Sequence, residues 1–363
     1  MIYLIWFYQK LIMAKFSVEN IKIKGIAAAV PSHVYNNMNY NWISAKEREM
    51  FIKTTGVVKR HVANYGTTTS DLCERATNNL LEKINWKRED IDILIFVSQS
   101  RDYVIPSSAC ILQHKLKLSK SCIAFDLNMG CSGYVYGLSV ISSMLNSQLK
   151  KGLLLVGDVS TLHTSPKDKS TYPLFGDAGT CTAVEFNTNA DNSFYNLQTD
   201  GKGYEAIIIR DGGARNYISE DSLKSKKISE GIERNNIQLE LNGVDVFNFS
   251  LKEIAPNINE TLSFSGISKE EIDFFVFHQA NKLINESIRK KLKLPIEKVP
   301  YSIENYGNTS SASIPITILA GLSESLSNQN KKLLLSGFGV GLSWGSAIIN
   351  FNNVVCLPII EID

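Results

Sequence analysis

Two stretches of this chain recur at almost one spacing, and that constrains the fold more than any other feature. The run Trp86 to Gln99 goes from a charged turn through Ile91-Asp92 into an apolar strand that ends Ser98-Gln99. The run Ser268 to Gln279 does the same through Ile272-Asp273 and ends His278-Gln279. The offset is 272 − 91 = 181. Lys151 to Gly157, with Leu153 at its centre, matches Lys331 to Gly337, with Leu333 at its centre, and here the offset is 333 − 153 = 180. Two matches in near register, each about half of 363 residues apart, predict two similar halves.

Each half reads alike. A continuous apolar strand (Ile91–Val97; Phe274–Phe277) suits a sheet buried on both faces. A small-residue turn and a helix follow (Ser132–Met144; Ser313–Leu326). A second buried strand comes next (Leu153–Val156; Leu333–Leu335), then a Gly-rich turn and a closing strand (Cys181–Phe186; Ser346–Phe351). Strands alternating with helices predict an α/β class with helices on the sheet faces. The polar, Gly- and Ser-rich stretch 211–236 reads as a surface excursion at the junction.

Composition narrows the function. The chain is 44% hydrophobic and 20% charged, with a net charge of only +2. A nucleic-acid binder would be more basic, with clustered Lys and Arg. The six cysteines form no CxxC pair, so neither a zinc ribbon nor a thioredoxin-type site is expected, and no metal. Nothing in their spacing calls for an oxidising compartment, which predicts a cytoplasmic protein with mostly buried, reduced thiols. The apolar run at residues 1–8 breaks at Gln9-Lys10, too short for a membrane span. It lacks a basic lead and a cleavage site. We expect the natural start at Met13, with residues 1–15 an extension or a mis-assigned start.

Four segments carry chemistry. Gly130-Cys131-Ser132-Gly133 precedes an apolar helical pattern, which places the thiol near a helix N-terminus, where free N–H groups and the helix dipole favour thiolate. Alone, the segment fits a buried structural cysteine equally well. His278 ends its strand, and ligands gather at the carboxyl ends of strands in α/β sheets. From this segment alone a core histidine is the commoner reading. Ser98 ends the matching strand of the first half, so two pseudo-symmetric halves could bring Cys131 and His278 to one crevice. Gly307-Asn308 before Thr309 to Ser313 reads as a turn and helix start, with an amide able to donate to a carbonyl. Gly337, Gly339 and Gly341 follow a strand, and their backbone N–H groups could contact an oxyanion. No helix follows them, which excludes a dinucleotide site. Gly341 to Gly345 around Ser343 fits the hydrolase elbow G-x-S-x-G, but a strand pattern follows and no His lies after His278, so that reading fails.

Thr55-Gly56 with Arg60-His61, Phe125 to Leu127 with Cys131 to Gly133, Phe175 to Gly179, His278 to Asn281, Gly307 to Ser310 and Gly341 to Ser346 together resemble the 3-oxoacyl-(acyl-carrier-protein) synthase III family of the thiolase superfamily, also called beta-ketoacyl-ACP synthase III. The resemblance runs from about Phe16 to Phe351. It implies a thiolase fold, two duplicated αβα halves in a five-layered αβαβα sandwich. Residues 16–210 would form the half with Cys131, and residues 237–363 the half with His278 and Asn308.

By this resemblance Cys131, His278 and Asn308 are catalytic in a transferase of fatty acid biosynthesis. Cys131 would take an acyl group from a CoA or ACP thioester. His278 Nε2 and Asn308 Nδ2 would stabilise the enolate formed as a malonyl thioester loses carbon dioxide. Backbone N–H groups of Cys131, Val340 and Gly341 would form the second oxyanion hole. The acyl pocket would use Leu239 and Phe338, with Ile105 from the partner of a homodimer. Lys282, Arg289, Lys290 and Lys291 would dock acyl-carrier protein. No permanently bound cofactor is implied. The family's usual CoA-contacting Trp and Arg positions hold Met50, Thr54 and Leu283, which points to a carrier-bound substrate and a specialised paralogue. An acyltransferase passing the acyl group from Cys131 to an alcohol or amine, and a scaffold without activity, are the alternatives; Asn308 argues against the first, since a pure transferase need not stabilise an enolate, and an intact Cys131, His278 and Asn308 argue against the second.

Overall fold

The computed structural model describes residues 15–363, so the expectations for residues 1–12 and for a start at Met13 lie outside the described residues. The first strands are β1 (Lys15–Val18) and β2 (Ile21–Pro31), followed by helices α1 (Ala45–Thr55) and α2 (Thr69–Ile84). Then come β3 (Ile93–Val97), α3 (Ser108–Lys115), β4 (Ile123–Leu127), α4 (Gly133–Met144), β5 (Lys151–Asp158), β6 (Ala178–Phe186) and β7 (Ser193–Thr199). The rest of the chain supplies α5 (Gly243–Ser265), β8 (Phe274–Phe277), α6 (Lys282–Lys291), α7 (Ser313–Asn328), β9 (Lys331–Gly339), β10 (Ser343–Phe351), β11 (Val355–Cys356) and β12 (Ile360–Ile362).

The predicted repeat is present in four strands of each sheet. One sheet contains the order β2-β6-β5-β3 and the other β7-β10-β9-β8. In each, the last pair is parallel and the other neighbours are antiparallel. The same bracket closes the parallel pair in both. Asp92 N–H donates to the Lys151 carbonyl at 2.9 Å while its carboxylate accepts the Lys151 N–H at 3.0 Å. Asp273 N–H donates to the Lys332 carbonyl at 2.9 Å while its carboxylate accepts the Lys332 N–H at 2.8 Å. These brackets fix the structural offset at 273 − 92 = 332 − 151 = 181. Leu153 therefore answers to Leu334 and not Leu333. His278 answers to Val97, one residue before Ser98.

The halves are not cut at residue 210. Strands β1 and β7 belong to the second sheet, and β11 and β12 return from the chain end to pair with β2 in the first. Strand β7 takes in the second sheet the place that β2 takes in the first, so the second repeat begins at Ser193. The stretch 211–236 lies inside that repeat, as an exposed excursion with a small hairpin, Lys226–Ser229 against Ile232–Arg234. The boundary was hidden because β2 and β7 share a place but no sequence motif.

Five layers follow from where each helix buries its side chains. Helices α4 and α7 lie between the sheets, and one core joins Tyr134, Leu138 and Ile141 of α4 and Ile314, Ile318 and Leu322 of α7 to both sheets. A helix covered on both sides is apolar nearly all round, as α4 is. Helices α2 and α3 cover the outer face of the first sheet, and α5 and α6 that of the second. Helix α2 accordingly buries one stripe, with Leu72, Cys73, Ala76 and Leu80 inward. A reciprocal Thr68–Asp71 capping box starts it.

Candidate active site

The inner helices and the strand ends converge on one cavity that Cys131, His278 and Asn308 all line. Cys131 sits in the turn between β4 and α4, two residues before the first helical position. Gly130 is required there by space, since a Cβ would come within 2.6 Å of Val340 Cγ1 and collide with the Gln99 side-chain oxygen. Gly339 closes the other side; a Cβ on it would lie 2.6 Å from Cys131 Cβ and 2.8 Å from Sγ.

The thiol is buried, 8% exposed. Burial pushes its pKa up to about 11, and the Asp158 carboxylate adds to the rise. Hydrogen bonds from the Val340 backbone, the Ser310 side chain and the Cys131 backbone oppose it. The helix start does not depress the thiol pKa as the sequence suggested, because desolvation outweighs those donors. The thiolate fraction should grow about tenfold per pH unit between pH 6 and 9. Iodoacetamide alkylation of Cys131, followed by mass spectrometry, should show that slope; a plateau by pH 7 would contradict it.

His278 follows β8 and is 1% exposed. Its Nδ1 lies 2.6 Å from Ser313 Oγ, which also accepts the Gln279 N–H at 3.3 Å. We assign the Ser313 proton to Nδ1, which leaves the imidazole proton on Nε2; the opposite tautomer would leave the Ser313 hydroxyl without an acceptor. Burial pushes the His278 pKa down to about 3, partly offset by a hydrogen bond to the Ser310 backbone. The ring is neutral at ordinary pH, with Phe338 packed edge-on at 5.5 Å.

Asn308 is fixed through both its backbone and its side chain. Its N–H donates to the Leu174 carbonyl at 2.9 Å, and its carbonyl accepts the Gly176 N–H at 3.1 Å. Its Oδ1 accepts the Ser310 N–H at 2.9 Å, so Nδ2 is the end left to donate, with only a 3.5 Å contact to the Ala280 carbonyl. Behind this sits Arg60, fully buried between the rings of Tyr35 and Tyr172 at 4.6 and 4.5 Å, its Nη1 on the Phe175 carbonyl at 3.2 Å. Arg60 and Phe175 to Asp177 thus buttress the strand edge on which Asn308 hangs.

Of the other expected residues, Leu239, Phe338 and Val340 line the cavity. Gly341 does not; it shapes the turn into β10. Ser343 lies on that strand, and its Oγ donates to the Val340 carbonyl at 2.8 Å and meets Ser132 Oγ at 2.7 Å, so it ties the two halves together. Ile105 is 84% exposed on a projecting loop, outside the cavity of its own chain. Lys282, Lys290 and Lys291 are exposed on α6, though Lys291 donates to the Leu251 carbonyl. Arg289 is tied up by both carboxylate oxygens of Glu286 and by the Leu294 carbonyl, so it offers no free charge.

Three residues escaped the sequence reading. Ser313 orients His278. Asp158, 2% exposed, accepts from Ser98 Oγ, Gln99 N–H and Ser100 Oγ on one half and from Ser311 on the other. His163 lines the cavity wall. A carboxylate directly ending the strand at Gly157-Asp158 was the one available signal. Among the described residues no group of His, Cys, Asp and Glu could hold a metal ion, and no helix is long and apolar enough to cross a membrane.

Two matching α/β halves with Cys, His and Asn at their shared cleft define a thiolase-fold condensing enzyme. Two family models match the chain: 3-oxoacyl-[acyl-carrier-protein (ACP)] synthase III over residues 125–203 and its C-terminal counterpart over residues 262–351. A beta-ketoacyl-[acyl-carrier-protein] synthase III of Fusobacterium nucleatum is 31% identical over 337 residues, 92% of this chain and 99% of that one. The crystal structure of a 3-oxoacyl-(acyl-carrier protein) synthase from Burkholderia xenovorans superposes with a TM-score of 0.91 at 35% identity, over 96% of this chain and 99% of that one. The priming beta-ketosynthase of the R1128 polyketide pathway, at 22% identity and a TM-score of 0.79, shares the fold. The chain belongs to the 3-oxoacyl-[acyl-carrier-protein] synthase III family.

Proposed function

We propose that this protein joins an acyl group to a malonyl-derived two-carbon unit by decarboxylative Claisen condensation. The Cys131 sulfur attacks an acyl thioester, from CoA or from acyl-carrier protein; the new C–S bond forms as the carrier thiol leaves with the proton. A malonyl thioester then enters. Its C–CO2 bond breaks, and the electron pair passes onto the thioester oxygen, held by His278 Nε2–H and Asn308 Nδ2–H. That carbon attacks the acyl carbonyl, whose oxygen faces the Cys131 and Val340 N–H groups. The Cys131–acyl bond breaks, the sulfur is reprotonated, and a 3-oxoacyl thioester leaves. No permanently bound cofactor takes part.

The observation that carries this reading is that both donors are aimed by their neighbours. Ser313 fixes one and the Ser310 N–H fixes the other, so an Nε2–H and an NH2 stand in the cavity with the thiol. A transferase that passed its acyl group to an alcohol or amine would need no such pair. Intact-protein mass spectrometry after incubation with a panel of acyl thioesters, followed by malonyl-dependent release of carbon dioxide, tests both stages. Acyl transfer to an alcohol or amine without carbon dioxide would replace the condensation by the transferase.

The mouth of the cavity adjoins α6, where Asn281 and Ile284 line the site and Lys282 packs beside Gly56. Lys282 and Lys290 suit an acidic carrier protein by electrostatic steering. Reversing both to Glu should raise KM for malonyl-ACP about three- to tenfold at low salt and leave a malonyl-pantetheine thioester unaffected. Equal effects on both substrates would remove the docking assignment.

Strand β4 leaves one edge unpaired, and beside it Tyr103, Val104 and Ile105 are exposed. These features support a homodimer in which the partner's loop approaches the acyl end of the cavity. All six cysteines are free thiols, as a reducing compartment maintains, which supports the cytoplasm.

A further inference from the structure

The cavity has a lining of two kinds. One is apolar, with Leu174, Ile207, Leu239 and Leu241. The other carries Gln99, Ser160 and His163. Most of the remaining polar groups of the cavity are occupied. Asp158 and Ser100 bond one another and their neighbours, and Asn281 Oδ1 caps α6 on the Ile284 N–H at 2.8 Å. His278, Asn308 and Ser310 belong to the reacting centre. Among the described residues the side chains of Gln99, Ser160 and His163 make no hydrogen bond, and Asn281 keeps only its Nδ2 free, at the α6 end of the cavity.

Their placement is specific. Gln99 lies against Gly130, beside the thiol. His163 stands where the cavity opens into a second groove that runs past Val104, Ile209, Ile218 and Ile237. A chain bound to Cys131 and running outward along this groove passes His163. A purely hydrocarbon chain would strip water from these polar groups and give nothing back, which disfavours it. An anionic tail does not fit. Burial lowers the His163 pKa, so the ring is neutral and offers no charge, and the Asp158 carboxylate stands close by. A neutral imidazole presents one N–H and one lone pair, which together match a group that both donates and accepts.

We propose that the acyl group received by Cys131 carries a hydroxyl on its chain, and that His163, with Gln99 and Ser160, recognises it. The inference rests on the reading that Cys131 is acylated, and names the substrate class of that same site. Recognition operates when the primer loads. The hydroxyl takes no part in the bond changes and remains in the 3-oxoacyl product.

The test uses the full-length protein and pantetheine thioesters of octanoate and of 3-, 5- and 7-hydroxyoctanoate, with initial rates of Cys131 acylation read by intact-protein mass spectrometry. One hydroxy isomer should load at least about tenfold faster than octanoate. In His163→Leu the ratio should fall to near one. His163→Gln, which keeps a donor and an acceptor, should retain part of it and guards against misfolding of the leucine variant. Octanoate loading as fast as every hydroxy isomer would overturn the inference and leave the acyl-Cys131 reading standing. No adduct from any of the four would overturn both.

Discussion

Cys131→Ala yields no acyl adduct from any thioester, and condensation falls to the background rate, while malonyl decarboxylation remains measurable. The first part follows from chemistry. No second thiol shares the cavity, since Cys73, Cys122 and Cys181 are buried elsewhere, Cys356 lies half-buried on β11 and Cys110 is on the surface. Loss of the nucleophile from a coupled catalytic set is among the largest single effects an enzyme shows, on the order of 10⁶ in a serine hydrolase. The second part follows from geometry. His278 and Asn308 take their orientation from Ser313 and Ser310, and neither contact involves the thiol. Alanine keeps the Cβ that stands beside Gly339 and removes only the sulfur, so the fold should hold. Radiolabelled carbon dioxide release and adduct mass, measured on the same preparation, check both parts. A persisting adduct at another residue would displace Cys131 as nucleophile. Loss of decarboxylation together with condensation would show that the two stages are not separable in the way the site suggests.

Much of this site was legible before the fold was seen. Cys131, His278 and Asn308 are each marked by small-residue turns at the ends of apolar runs. Such turns form where a strand stops at a cleft and the backbone must leave room. The duplication was legible because buried parallel strands are continuous apolar runs, and the turns before them repeat Ile-Asp in both halves. What stayed hidden depends on contacts remote in sequence. The thiol pKa was misjudged because helix position can be read locally, while the burial that outweighs it arises from Gly339, Val340 and the second half closing over the first. Ser313 was visible only as part of a small-residue run, 35 residues from the imidazole it orients. Arg289 looked like a free cation because Glu286 precedes it by one helical turn, a spacing equally common on a solvated face. The repeat boundary was missed because β7 matches β2 only in its place in the sheet.

Asn308→Asp should cost roughly 3–4 kcal/mol of transition-state stabilisation, about 10²–10³ in the condensation rate, without unfolding the site. The substitution changes one atom's role and almost no volume. Asn308 Oδ1 holds the Ser310 N–H at 2.9 Å, and a carboxylate oxygen accepts that hydrogen bond equally well. The backbone pairing to Leu174 and Gly176 is untouched. At the other end an N–H donor becomes an acceptor, turned toward an enolate oxygen that needs donors. Two negative groups then face one another where little water can screen them, so the loss falls at the upper end of that range. Acylation of Cys131 precedes the malonyl step and uses the Val340 side of the cavity. It should be slowed far less, so the acyl-enzyme should accumulate when the malonyl thioester is added. Single-turnover mass spectrometry resolves the two stages. Condensation within about threefold of the unaltered protein would remove Asn308 from the enolate-stabilising pair, and an unfolded variant by circular dichroism would refute the claim that Oδ1 alone carries its structural role.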